Sequence, residues 1–130
     1  MKPVAKYLGG DGSRKKMCHY VPIKETLQAM FRDTSIQNNL QECDNTTKDF
    51  SELRDICDGM MFKQNEFFQS NPSGLQILLY QDSFEAVNPL GAAGGKHKLL
   101  GVYFMLGNLH PAVRSRIDTL QLVLYARRDI

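Results

Sequence analysis

Asp82 and Glu85 are the residues of this chain most plainly placed to do chemistry, because they stand at the end of the strand expected for the apolar run LQILLY at 75–80. A carboxylate where a buried strand gives way to a loop is well placed to hold a metal ion. The strand fixes its position while the loop admits substrate. Two-metal phosphoryl chemistry needs at least two or three such carboxylates converging, and the sequence supplies one or two. The plainer reading of an Asp after a strand is a turn former.

Other constellations fall short of a site. The Gly-rich segment at 88–95 invites a phosphate-loop reading. However, Gly91 precedes Gly95-Lys96 by one residue too few, and His97 stands where the magnesium-binding hydroxyl belongs. A flexible crossover is the better reading, although Lys96 and Lys98 can still set positive charge beside a nucleic-acid phosphate. His19, His97 and His110 are scattered without metal-ligand spacing, and no Ser occupies a nucleophile elbow. Cys18, Cys43 and Cys57 make an odd, widely spaced set. That set reads as reduced thiols of an intracellular protein, nuclear or cytoplasmic.

The elements that must position these residues follow from pattern. Residues 1–18, with Gly9-Gly10-Asp11-Gly12 and Arg14-Lys15-Lys16, read as a flexible basic arm. Residues 19–74 read as a helical section. Pro22 opens a helix whose Ile23, Leu27, Met30 and Phe31 form one apolar stripe. Thr34 or Ser35 caps a second carrying Ile36 and Leu40. Phe50, Leu53, Ile56 and Cys57 mark a third that Gly59 ends. Phe62, Phe67 and Phe68 complete a further helical turn. Residues 75–130 then carry three apolar runs, at 75–80, 99–106 and 120–125. Helices followed by three consecutive strands predict an α+β domain with an antiparallel meander.

Composition sets outer bounds. The hydrophobic fraction is 42%, the charged fraction 23% and the net charge +2. These values suit one globular domain and give no bulk electrostatic pull toward nucleic acid or membrane. No stretch approaches the roughly 20 apolar residues of a membrane span, and the N-terminus lacks the apolar run of a signal peptide. The sequence stops soon after the third strand, leaving a sheet face uncovered. That ending predicts a truncated core prone to self-association through the uncovered sheet.

Residues 75–91, LQILLYQDSFEAVNPLG, resemble a segment of transposon-encoded proteins common in animal genomes, typically LQ-x-x-LY-x-DDFE-x-x-NPLG. They are similar, more distantly, to the DGFNPFG segment of CACTA-type (En/Spm-like) plant transposases. Further pieces agree in order. His19 to Leu27 resembles YVP-x-x-ETL, and Asp58-Gly59 with Phe62 to Asn65 resembles DG-x-x-FKN. Lys96 to Leu99 resembles KHKLG, and Leu106 to Pro111 with Arg114 resembles LGNL-x-P-x-x-R. The resemblance spans about residues 19–125.

The resemblance implies that the three strands open an RNase H-like core. Asp82 would be the first catalytic aspartate and a ligand for Mg²⁺. The acid that often follows it in the family is replaced here by Ser83. The second aspartate and the final glutamate of such a triad lie farther downstream than this sequence reaches. The expected function is therefore a truncated transposase-like protein, inactive alone, with Mg²⁺ bound only if a downstream segment completes the site. The alternative is a nucleic-acid- or protein-binding module recruited by a host. DNA would then lie against Lys96, Lys98, Arg114 and Arg116, aided by Arg14, Lys15, Lys16, Arg127 and Arg128.

Overall fold

Among the described residues, five antiparallel strands in the order β1-β2-β5-β4-β3 form the frame of the protein. They are β1 (Val4–Gly9), β2 (Lys16–Tyr20), β3 (Ile77–Glu85), β4 (Lys98–Leu106) and β5 (Gln121–Arg128). This computed structural model describes residues 2–9, 16–42, 52–85 and 98–128. The Gly-rich segment at 88–95, Lys96, His97, Cys43 and Phe50 lie outside the described residues.

Among the described residues the sheet has five strands where the sequence predicts three. Instead of the flexible arm expected over 1–18, the chain forms a hairpin in which Val4 pairs with Tyr20 and Tyr7 with Met17. Gly9, at φ 101°, sits where the β1–β2 register shifts, a conformation that costs glycine little. The hairpin is anchored through β2. Cys18, only 3% exposed, lies opposite Ala126 of β5. Glycines and lysines in the segment mask this short strand pattern, since an edge strand can leave both of its faces largely in water.

The three predicted strands form the expected meander, β3 to β4 to β5. β3 is longer and later than its apolar run, however. It continues through Gln81, Asp82 and Ser83 because all nine of its residues pair with β4, from Ile77 opposite Leu106 to Glu85 opposite Lys98. Asp82 therefore lies within a strand, rather than at the strand–loop junction that the sequence suggests.

Short helices cover one face of the sheet. α1 (Ile23–Met30) turns the predicted stripe inward. Met30 is buried, and Ile23, Leu27 and Phe31 pack against the core. α2 (Thr34–Asn38) is capped by Asp33, whose carboxylate accepts from Ser35 N at 2.8 Å, rather than by Thr34 or Ser35. A 3₁₀ turn (Ile56–Asp58), α3 (Met60–Lys63) and α4 (Glu66–Ser70) stand where one longer helix and a turn are predicted. α5 (Pro111–Arg114) joins β4 to β5. Met30, Ile36, Phe104, Leu106, Leu109 and Val123 form the core.

Cross-strand partners share a face of a sheet. Ile77 and Leu79, opposite Leu106 and Phe104, belong to the helix-covered face. Asp82 is opposite Gly101, Gly101 opposite Tyr125, and Tyr125 opposite His19, so these four form one row across the other face.

Cysteine usage departs from the sequence reading. Cys57 is disulfide-bonded and Cys18 is a free, buried thiol; Cys43, the third cysteine, lies outside the described residues. In denaturant without reductant, an alkylating reagent is expected to label Cys18 and spare Cys57, with Cys57 labelled only after reduction. Peptide mass mapping reads both sites, and label on Cys57 before reduction would contradict the bond.

Candidate functional site

The Asp82 row is organised by close packing around a glycine. A Cβ on Gly101 would lie 2.7 Å from the Tyr103 ring and from its hydroxyl, so the phenol rests across Gly101. Tyr103 in turn stacks on Tyr80 at 5.3 Å between centroids, and His19 stacks on Tyr125 at 4.7 Å. Asp82 is exposed beside this aromatic surface, and its Oδ1 accepts from Ser83 N at 2.7 Å.

The described residues do not assemble a two-metal site. Glu85 is three positions along β3 from Asp82, an odd step that turns its side chain to the opposite face. Among the described residues no three His, Cys, Asp or Glu come together as a metal-binding group. One carboxylate cannot hold two cations in a fixed geometry, and the described residues therefore support no catalytic step through Mg²⁺.

Of the predicted nucleic-acid contacts, Arg114 and Arg116 are engaged with carboxylates of the chain itself. Arg114 is turned inward, with a side chain only 11% exposed. Its Nη1 and Nη2 donate to the two Asp55 carboxylate oxygens at 2.6 and 2.7 Å, and Nε and Nη2 donate to Leu109 O. Arg116 remains at the surface but forms a bidentate pair with Asp118. Lys98 begins β4, and Lys96 lies outside the described residues. Arg127 is exposed on β5 opposite Leu99.

The Asp55–Arg114 fork is the strongest electrostatic feature among the described residues, and the sequence reading misses it. Hydrogen bonds from the Arg114 guanidinium hold the Asp55 carboxyl below the ordinary carboxylate range. Burial opposes that effect, and the Ile56 N–H adds to it. Asp55 also caps the 3₁₀ turn in a reciprocal arrangement with Asp58. Asp58 is likewise held low, by the N–H groups of Arg54 and Asp55. The 59-residue separation of Asp55 and Arg114 leaves no local signal by which to pair them.

Several residues of the family-like motifs have structural work instead. Asn108 ties three segments together. Its Oδ1 accepts from Gln76 N at 2.7 Å, its Nδ2 donates to Gly74 O, and its carbonyl accepts from Gln41 N. Leu106 and Leu109 are fully buried. His110 caps α5, with Nδ1 accepting from Ala112 N at 3.2 Å.

No family model matches the chain, and neither a curated protein nor a solved structure is significantly similar to it. No helix among the described residues is long and apolar enough to cross a membrane.

Proposed function

We propose that this chain forms the opening part of an RNase H-like transposase core and carries no complete catalytic set in its described residues. The observation that supports the reading most directly is the β3-β4-β5 meander, which pairs consecutively with Asp82 on its first strand. The order of the motifs between residues 19 and 125 agrees with it. Mg²⁺ enters this reading only with further carboxylates brought to Asp82 from outside the described residues, where DNA would be the substrate. The alternative, a host-recruited binding module, has less to rest on, since Arg114 and Arg116 are already engaged with Asp55 and Asp118. A nuclear or cytoplasmic location belongs to the same reading. The Cys57 disulfide weighs against it, because reducing compartments seldom preserve such bonds.

The test is Mg²⁺- or Mn²⁺-dependent cleavage of a labelled DNA duplex by this chain and by a version extended downstream in its own reading frame. The expected result is cleavage by the extended protein alone, abolished by Asp82→Ala. Cleavage by the short chain would place the active site elsewhere. Inactivity of both would shift weight to a binding role, which a steep fall of DNA affinity with salt would identify.

A further inference from the structure

Among the described residues the sheet ends in two edges of opposite charge. β1 carries Lys6 as its only charged residue, with Lys2 just before it; β3 carries Asp82 and Glu85 and no cation. Both edges are apolar and exposed, through Val4, Tyr7 and Leu8 on β1 and Leu79, Tyr80 and Phe84 on β3. β3 is nine residues long and has no proline, lysine or bulge, the usual devices that stop an edge from pairing.

The β3 edge has a defined hydrogen-bonding face. Gln76 O accepts from Gly107 N, in step with the β3–β4 register. Backbone groups at every second residue from Gln76 therefore point to β4, and those of Ile77, Leu79, Gln81, Ser83 and Glu85 point away. The Ser83 N–H, on that outer side, is the one that the Asp82 carboxylate covers.

The geometry points to a second copy of this chain as the occupant of that edge, its β1 adding antiparallel to β3. Lys6 lies on the Cys18 face, which the register continues through Ala126 and Leu100 to Ser83, the face opposite Asp82. An antiparallel addition turns the second copy over, and so brings its Lys6 to the Asp82 face. The ammonium then takes the Asp82 carboxylate, and the Ser83 N–H is released to a carbonyl of the incoming strand. Pairing β3 with β3, or β1 with β1, would bring like charges together instead. Because β1 and β3 are different surfaces, the contact does not close on itself, and growth continues beyond a dimer. This inference does not depend on the RNase H-like reading.

Sedimentation velocity of the full chain over a range of concentration and salt tests the proposal. The expected mass rises continuously with concentration, and less so at high salt. Lys6→Glu or Asp82→Lys alone should weaken association by roughly two- to five-fold, the scale of one cross-strand charge pair. The double variant Lys6→Glu/Asp82→Lys should recover it. Leu79→Lys, at a position 60% exposed, should suppress association while leaving the far-ultraviolet circular dichroism unchanged. A monomer at all concentrations, a species that stops at dimer, or charge reversals without effect or without recovery would each overturn the proposal.

Discussion

Replacing Arg114 with alanine is expected to destabilise the fold by about 3 kcal/mol, a large share of the roughly 5–15 kcal/mol that holds a domain of this kind together. The guanidinium is nearly buried and makes a two-pronged contact with Asp55, whose side chain is 26% exposed. Removing it strands a half-buried carboxylate and leaves Leu109 O without two of its donors. Arg116→Ala provides the control. Its pair with Asp118 is exposed on both sides, and its loss should change stability by less than about 1 kcal/mol. Urea denaturation of both variants reads the contrast, and equal effects would mean that the Asp55 fork adds nothing beyond a surface pair.

The same pair gives a pH dependence whose sign is fixed. The Asp55 carboxyl is held below its ordinary value in the folded chain. Its contribution is therefore fully present above about pH 4, the ordinary Asp range, and is lost as pH falls through the folded value. Arg114→Ala removes the main cause of the depression. As pH falls below about 4, its stability should thus decline less steeply than that of the parent chain. Asp58, which is held low by backbone N–H groups, keeps its own acid-sensitive contribution in both proteins.

What the sequence discloses here is short-range and apolar. The α1 stripe and the runs that became β3, β4 and β5 are visible because burial repeats at 3.6 or concentrates in unbroken runs. The β1–β2 hairpin is not visible, since its burial rests mainly on Cys18 while Val4, Tyr7 and Leu8 remain exposed. Asp33 takes the cap expected of Thr34 or Ser35 because neighbouring residues of similar chemistry compete for one position. At the candidate site, Asp82 can be singled out from its place after LQILLY. The row that it joins cannot, because Gly101, Tyr125 and His19 meet it only through register. Arg114, read as a surface cation, is drawn inward by a carboxylate on a distant turn.

Phe104→Ala is expected to cost about 3–5 kcal/mol, and Leu79→Ala, directly opposite it on β3, less than about 1 kcal/mol. Phe104 is fully buried in the core cluster that includes Met30, Ile36 and Leu106, so truncation leaves a cavity there. Leu79 belongs to the same face but is 60% exposed, because the core thins from β4 to the β3 edge within one strand spacing. Chemical denaturation midpoints at low protein concentration, with unchanged slopes, measure the two costs. Similar losses from both variants would mean that β3 is covered in the monomer. A Leu79→Ala penalty that is negligible in dilute solution and grows with protein concentration would instead report an edge covered only when a second copy supplies its β1, since ligand-like coverage stabilises by mass action.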